Sequence, residues 1–245
     1  MNQTIKELKE RKSVRVYEER DIEPEKKKAI IDAALQAPTA GNMTLYSIID
    51  VTDRKRKETL AVTCDNQPFI AKAPMVLVFA ADYQRWYDLF CLYEDNVRRP
   101  GPGDLLLALD DALIAAQNAV VAAQSLGIGS CYIGDIMEHY ETHRDLLGLP
   151  QYAVPAAMVV FGYPTKQQTE REKPGRLRSE AVVFENTYRR LEPREFAGHL
   201  QYRNHREEDF ERWLKAFCKR KWNSDFGMEM SRSAEVMLRA WQKEE

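Results

Sequence analysis

The sequence predicts an α+β fold in which helices cover both faces of a central mixed or antiparallel sheet. Apolar runs typical of strands, such as residues 75–80 and 153–161, are interspersed with helical patterns but lack the regular spacing of βαβ units. A long segment, Leu105 to Leu126, is apolar nearly all round a helix, which predicts burial on most sides. The 245 residues suffice for one large domain or two small ones.

Composition and charge are those of an ordinary globular protein. Hydrophobic residues make up 44% and charged residues 30%, and the net charge is −2, so no global charge favours nucleic acid or a membrane surface. The N-terminus lacks the apolar core of a signal peptide. Asp110 and Asp111 interrupt the long apolar segment, which argues against a membrane span. We therefore expect a cytoplasmic protein with no membrane or nucleic-acid partner.

The four cysteines form no C-x-x-C pair and predict small packing residues in a reducing cytosol. Only Cys131 lies next to a candidate site.

The N-terminal half predicts three helices and a strand. Thr4 and Glu7 have the spacing of a capping box for a first helix that ends just before Arg11. Pro24 suits the first position of a second helix, which is followed by a strand from Tyr46 to Val51. Asp53 then caps a short charged helix that extends to about residue 63.

The middle of the chain predicts a central strand followed by an ambiguous aromatic segment. Residues 75–80 form a continuous apolar run, which indicates a strand buried on both faces. Residues 82–103 carry five aromatic residues and end in a Pro/Gly-rich stretch. This pattern fits either a lid over a planar ligand or a small helix packed on the core.

The C-terminal part predicts an extension rather than a second core. The chain beyond Pro164 is polar and basic, so it cannot bury much surface alone and should lie along another surface. Two amphipathic helices follow, with stripes at 210–217 and 230–241. We predict a core of residues 1–164 and an extension of residues 165–245 that wraps around a partner subunit.

A basic stretch near the N-terminus is the first candidate site. Arg11, Ser13 and Arg15 project to the same side if the chain is extended there. Two guanidinium groups around a hydroxyl suit a dianionic phosphate, because arginine binds phosphate oxygens bidentately. A solvated basic surface is the alternative for such a cluster taken alone.

Five further motifs follow the basic stretch in a fixed order. They are Ala37–Asn42, Asn66–Ile70, Gly127–Gly129 leading into Cys131–Gly134, Phe161–Pro164, and Lys173–Leu177. With these motifs the chain resembles the FMN-dependent nitroreductase family over about residues 4–180. The resemblance is to the branch that has a long C-terminal extension, the branch of the oxygen-insensitive NAD(P)H nitroreductases.

This resemblance implies a nitroreductase-like fold, an intertwined homodimer and two FMN sites at its interface. Arg11 and Ser13 would hold the phosphate or ribityl chain, with Lys12 beside them, and Arg15 and Gln67 would reach the pyrimidine edge of the ring. The remaining residues implied are Thr39, Ala40, Gly41 and Asn42 from the partner chain, Ile133 and Gly134 along the ring, and Lys173 and Arg176 in a basic shell. An inserted Gly175 separates Lys173 from Arg176, and Thr44-Leu45-Tyr46 replaces the usual rim sequence.

The activity implied is transfer of electrons from NADH or NADPH through FMN to a nitroaromatic, a quinone or a similar small acceptor. Nicotinamide and acceptor would use the same face in turn, a ping-pong cycle. Arg15 would stabilise the charge of the reduced cofactor in a dry site. No protein acid–base residue is assigned.

Several other interpretations stay open or are disfavoured. An FMN-binding protein without turnover and a flavin reductase of the same fold are the alternatives within this resemblance. The basic residues of the helix at 210–221 could suggest nucleic acid, but the acidic residues Glu207, Glu208, Asp209 and Glu211 offset them. His139 and His143 lack a third metal ligand and predict two surface histidines. The Gly127–Gly129 motif follows a helix, contrary to a dinucleotide fingerprint.

Overall fold

A computed structural model describes residues 1–204 and 209–242. Residues 205–208 and 243–245, which include Glu207 and Glu208 of the predicted extension, lie outside the described residues. The chain forms two compact units. The first comprises Met1–Arg171 together with the residues from Glu229 onward, and the second comprises Glu172–Met228.

Eleven α-helices occur in the described residues. They are α1 Gln3–Glu10, α2 Pro24–Leu35, α3 Arg54–Thr63, α4 Phe69–Lys72, α5 Gln84–Tyr93, α6 Pro102–Ser125, α7 Tyr140–Leu147, α8 Lys166–Glu170, α9 Pro193–Asn204, α10 Phe210–Lys221 and α11 Asp225–Ala240. Short 3-10 turns lie at Ala40–Asn42, Gly134–Met137 and Ser179–Ala181.

The first unit is built on a four-stranded antiparallel sheet. Its strands are β1 Tyr46–Asp50, β2 Met75–Asp82, β3 Gly129–Ile133 and β4 Ala153–Gly162, in the spatial order β1-β2-β4-β3. Every residue of the central strands β2 and β4 is buried, as expected for strands covered by helices on both faces. The predicted α+β class is confirmed, and the sheet is antiparallel rather than mixed.

Helix α6 contributes most of one layer of the core. By length and composition it could cross a membrane, but its alanines at 112, 115 and 119 are buried against α2 and the sheet. One face of α6 is exposed in the single chain, so the predicted burial on most sides is not met by this chain alone. Leu106, Leu107, Leu113 and Ile114 recur at helical spacing and are 40–61% exposed.

Two helix N-termini differ from the prediction. Asn2, not Thr4, caps α1, because its side-chain oxygen accepts the N–H of Ile5 at 3.0 Å while Thr4 already lies inside the helix. Glu7 accepts a hydrogen bond from Gln3 instead of completing a capping box. Helix α6 begins three residues before the predicted start at Leu105, and Asp104 accepts the N–H of Gly101 from within its first turn.

The aromatic segment after β2 forms α5. Of the two predicted alternatives, a lid over a ligand or a small helix packed on the core, the structure shows the small helix. Tyr83, Trp86 and Tyr87 pack into a cluster with Tyr152 and Trp241, and the Tyr87 and Tyr152 ring centroids lie 5.2 Å apart. The other face of α5 remains exposed, with Leu92 and Tyr93 as its most accessible side chains.

His143 is buried completely, so the prediction of two surface histidines is wrong for this residue. Its ring nitrogens contact the Thr63 hydroxyl at 2.7 Å and the Ile136 carbonyl at 2.9 Å. Burial lowers the pKa of His143, which favours the neutral ring.

The prediction that all four cysteines are packing residues is correct for two of them. Cys64 and Cys131 are buried, whereas Cys91 and Cys218 are exposed. All four are free thiols.

Candidate functional site

The basic stretch after α1 lies extended beside the start of β3. Ser13 forms a parallel bridge with Ser130, and the N–H of Val14 donates to the Ser130 carbonyl at 3.0 Å. Four residues later, Tyr17 forms an antiparallel bridge with Pro164. The extended conformation predicted for this stretch is therefore the one observed.

Packing of Val14 fixes how close the stretch comes to the sheet. Val14 is buried, and a Cβ atom built on Gly129 would lie 2.6 Å from its Cγ2 atom. Only glycine at position 129 permits this approach. Because side chains alternate along an extended chain, Ser13 and Arg15 lie on the opposite side from Val14, where both side chains hydrogen-bond the Cys131 thiol.

Two cations flank the first residues of β3. The guanidinium of Arg11 lies 3.4 Å from the hydroxyl of buried Ser130, and Arg15 is exposed. Burial raises the pKa of the Cys131 thiol, and the positive charges of Arg15 and Arg11 oppose that rise. Both guanidiniums thus lie near the same strand, as a phosphate-binding cluster requires.

Helix α8 and the residue that follows it are hydrogen-bonded to the basic stretch. The Lys12 ammonium donates to the carbonyls of Thr169, at 2.8 Å, and of Arg171. In return, the Arg171 guanidinium donates to the Ser13 carbonyl at 2.7 Å. The side-chain oxygen of buried Gln168 accepts the N–H of Arg15 at 3.3 Å. Lys12 is therefore already engaged by backbone carbonyls of its own chain.

Gln67, Ile133 and Gly134 lie near the far end of β3. Gln67 follows α3 and donates its side-chain amide to the Cys64 carbonyl at 2.8 Å. Cys64 packs with Ile133 in one apolar cluster, and Asp135 and Glu138 are among the charges that act on its thiol. The structure thus brings the Gln67 loop close to the turn that begins at Gly134.

The loop from Thr39 to Leu45 is held by a carboxylate on α6. Buried Asp111 accepts hydrogen bonds from the Thr39 hydroxyl, the Ala40 N–H at 3.0 Å and the Leu45 N–H at 3.1 Å. Gly41 and Asn42 lie between these anchors, are exposed and have φ values of +57° and +58°. The loop that was predicted to contact the cofactor is therefore held in one conformation at the protein surface, with Gly41 and Asn42 exposed.

Within one chain, this loop and the basic stretch lie at diagonally opposite corners of the sheet. The loop enters β1 at Tyr46, which pairs with Ala81 at the end of β2. The basic stretch meets β3 at Ser130, whose partner Phe161 lies beside Met75 at the start of β2. One chain therefore does not bring Thr39, Ala40, Gly41 and Asn42 together with Arg11, Ser13 and Arg15.

The last two predicted site residues belong to the second unit. Lys173 is half-buried there, and the Arg176 guanidinium donates to the Pro174 carbonyl at 3.1 Å.

Sequence reasoning missed Ser130, Asp111, Gln168 and Arg171. Asp111 had a detectable signal, because a carboxylate within an apolar helix needs a specific partner when it is buried. Gln168 and Arg171 lie in a polar segment and carry no such signal.

Comparison with known proteins agrees with the fold and the motifs. The model of the nitroreductase family matches residues 8–163. The chain is 32% identical over 203 residues to an FMN reductase [NAD(P)H] of Bacillus subtilis (strain 168), covering 82% of this chain and 80% of the relative. It is 33% identical over 192 residues to an oxygen-insensitive NADPH nitroreductase of Salmonella typhimurium, covering 78% and 77% of the two chains.

Among solved structures, nitroreductase A of Vibrio parahaemolyticus is similar with a TM-score of 0.82 and 27% identity, covering 97% of this chain and 98% of that one. Fold and sequence together define an oxidoreductase with a nitroreductase-like α+β fold. The chain belongs to the nitroreductase family. The predicted family and enzyme class are confirmed.

Proposed function

We propose that this protein is an FMN-dependent oxidoreductase that passes electrons from NADH or NADPH to nitroaromatic, quinone or similar small acceptors. Its membership of the nitroreductase family and the names of its relatives confirm the predicted cofactor, FMN, and the predicted NAD(P)H reductant. The choice of acceptor and the order of reaction are our proposals.

The observation that carries this function is the basic stretch fixed on β3. Arg11, Ser13 and Arg15 lie on an extended segment that is anchored by Ser130 and by the packing of Val14. The Arg11 guanidinium and the Ser13 hydroxyl fit a phosphate group without further ordering of the backbone, and Arg15 supplies a second positive charge on the same fixed segment. The donor set therefore fits the phosphate of FMN.

The remaining predicted residues take the roles that the family pattern gives them. Arg11 and Ser13 hold the phosphate or ribityl chain with Lys12 beside them, and the Arg171 guanidinium, which donates to the Ser13 carbonyl, adds a further positive charge there. Gln67 and Arg15 face the pyrimidine edge. Ile133 and Gly134 line the ring, and Lys173 and Arg176 complete a basic shell.

When bound, FMN supplies hydride acceptance from a nicotinamide and electron donation to the acceptor. The protein's part is to bind, orient and stabilise charge. Arg15 provides a fixed positive charge for the added negative charge of the reduced cofactor, and water exclusion strengthens this attraction. Nicotinamide and acceptor occupy the same face in turn, so the proposed cycle is ping-pong.

The proposed assembly is an intertwined homodimer with two sites. The exposed apolar face of α6, formed by Leu106, Leu107, Leu113 and Ile114, is the kind of surface that a second copy covers. The loop at residues 39–42 and the basic stretch are separated within one chain, which supports their meeting across a dimer interface. Residues 165–245 would wrap around the partner.

The proposed location is the cytoplasm. Its support is the set of four unpaired cysteines, which a reducing compartment keeps as thiols.

Anaerobic mixing with NADPH or NADH tests the activity. The FMN-loaded protein should lose its oxidised-flavin absorbance and regain it when a nitroaromatic or quinone is added. An FMN-binding protein without turnover would keep its absorbance. A flavin reductase, which the name of the Bacillus relative favours as a second candidate, would be reoxidised fastest by free FMN.

Replacement of Arg11 tests the phosphate site. Arg11→Ala should weaken FMN binding by about tenfold or more, since a charge-assisted hydrogen bond contributes roughly 1.5–3 kcal/mol. Titration of the refolded apoprotein measures this affinity. Arg54→Ala, which removes an exposed arginine from α3, is the matched control. Equal FMN affinity in the two variants would contradict the assignment.

A further inference from the structure

The carboxylate of Asp111 is buried, although it lies on α6, one face of which exposes apolar side chains. Asp111 is 3% exposed, and its three hydrogen bonds all come from one loop, through Thr39, Ala40 and Leu45. Hydrogen bonds to a buried charged acceptor are strong. If the carboxylate were removed, the buried donors of the loop would be left without a hydrogen-bond acceptor. Asp111 thus determines the position of this loop relative to α6.

The conformation of the loop requires such an anchor. Asn42 and Thr44 both have positive φ values, +58° and +53°, in a region that non-glycine residues adopt only at an energetic cost. The Thr39 hydroxyl adds a second tie by accepting the N–H of Thr44 at 2.7 Å. In addition, the Trp86 indole N–H donates to the Met43 carbonyl at 2.6 Å. Surrounding contacts therefore hold the loop in a shape that it would not adopt alone.

Asp111 also stands at the border between the buried and exposed faces of α6. Leu107 precedes it by one helical turn and Ile114 follows it by three residues, and both are exposed. If this face is covered by a second copy, the helix that forms the interface is also the helix that fixes the loop.

We propose that Asp111 is a positioning residue for the FMN site of the partner subunit. Its carboxylate holds residues 39–45 in the shape in which Gly41 and Asn42 reach the cofactor bound by the partner's basic stretch. This inference rests on the proposed function, because it takes the ligand to be FMN and the assembly to be a dimer.

Asp111→Asn tests the role directly, because an amide cannot accept all the hydrogen bonds that the carboxylate accepts. FMN affinity should fall by about tenfold, which equals ~1.4 kcal/mol. The control is Asp104→Asn, the same change at another buried, hydrogen-bonded carboxylate of α6 that contacts Arg98 and Gly101 rather than the loop. It should lower thermal stability and leave FMN affinity unchanged.

A mixed dimer separates positioning in the partner's site from a general structural effect. Chains carrying Asp111→Asn and chains carrying Arg11→Ala are given different tags and purified as the heterodimer. If the loop acts on the partner's site, one of the two sites receives an intact loop and an intact Arg11, whereas the other receives both defects. Half of the FMN sites should then bind with wild-type affinity.

The opposite result would overturn the proposal. If Asp111 acts on the site of its own chain, each site of the heterodimer carries one defect and no site binds FMN normally. Wild-type affinity in the Asp111→Asn homodimer would also contradict it. Failure of the wild-type protein to bind FMN would instead contradict the proposed function.

Thr39→Val provides a second route if Asp111→Asn does not fold. It removes the loop's hydroxyl while Asp111 remains. FMN affinity should fall in Thr39→Val, whereas Thr39→Ser, which keeps the hydroxyl that donates to Asp111, should retain it. Wild-type FMN affinity in Thr39→Val would contradict the proposal.

Discussion

At the residue scale, Arg11 and Arg15 have different surroundings although they lie on the same extended stretch. The Arg11 guanidinium contacts the hydroxyl of buried Ser130, whereas the Arg15 side chain hydrogen-bonds the Cys131 thiol one residue further along β3. Arg15 thus lies nearer than Arg11 to Ile133 and Gly134, the residues proposed to line the ring. Arg15 is therefore the better candidate for stabilising charge at the ring, and Arg11 for holding the phosphate.

Arg15→Gln should lower the two-electron reduction potential of bound FMN, because the charge at this position favours the reduced cofactor. A differential loss of ~1.4 kcal/mol corresponds to a fall of ~30 mV. Reduction by nicotinamide should slow, while the affinity for oxidised FMN should change less than in Arg11→Ala. A coupled redox titration at one pH and salt concentration measures the potential. An unchanged potential with weakened binding would mean that Arg15 is a second phosphate ligand.

Glu138 makes the stability of the fold depend on pH near neutrality. It is 4% exposed, and burial with the nearby carboxylates of Asp135, Asp65 and Glu229 raises its pKa to about 7. In the unfolded chain the same group loses its proton near its ordinary pKa of 4.5. Between these values the folded state binds more protons, so the free energy of unfolding should fall as pH rises through this window.

Glu138→Gln should remove this dependence. The variant should become more stable relative to wild type, by roughly 1–3 kcal/mol, as the pH rises from mildly acidic values to above 7. Urea denaturation at several pH values measures the difference. Glu25→Gln, at an exposed carboxylate, is the control for the change in charge. Parallel stability curves for wild type and Glu138→Gln would contradict the prediction.

At the element scale, attachment of the basic stretch to β3 depends on two glycines. A Cβ atom at Gly129 would clash with Val14, and a Cβ atom at Gly162 would lie 2.6 Å from the Tyr17 ring. Interiors packed this closely tolerate added atoms poorly. The position of Arg11 and Ser13 thus follows from small residues on the neighbouring strands as much as from their own sequence.

Gly129→Ala should displace the stretch from the sheet. The expected destabilisation is about 1–3 kcal/mol, with a parallel loss of FMN affinity. Gly103→Ala is the control, because no heavy atom lies within 4 Å of the added carbon and alanine favours the first turn of α6. Thermal denaturation and FMN titration measure the two effects. Unchanged FMN affinity in Gly129→Ala would show that the stretch tolerates displacement.

The elements themselves were largely predictable, and the errors have physical causes. The apolar runs of β2 and β4 identified both central strands because each is buried throughout. The start of α1 was misplaced because Asn2 and Thr4 are both good caps, and sequence alone does not choose between them. His143 was predicted to lie on the surface because no local sequence pattern predicts its contacts with Thr63 and Ile136.

At the scale of the whole molecule, the candidate site illustrates what a single sequence lacks. The basic stretch was predictable, since the residues and their period-two spacing are local. Which loop meets it in the proposed dimer depends on strand order and on packing around Asp111, which are non-local. The motif at residues 39–42 was recognised through family resemblance, whereas the carboxylate that shapes it was not.

A charged residue on the exposed face of α6 should disrupt the proposed dimer. Ile114→Glu should produce a monomer, because burying a carboxylate in an apolar interface is costly. Val62→Glu, at an exposed apolar position of α3, should leave assembly unchanged. Sedimentation velocity at micromolar concentration distinguishes these outcomes. A wild-type monomer that still binds FMN would contradict the proposed assembly.

The measurement that most directly tests the central claim is a crystal structure of the protein with FMN. We predict FMN with its phosphate against Arg11 and Ser13 of one chain, and with Gly41 and Asn42 of the partner subunit beside it. FMN held entirely by one chain, or bound away from the basic stretch, would contradict the account.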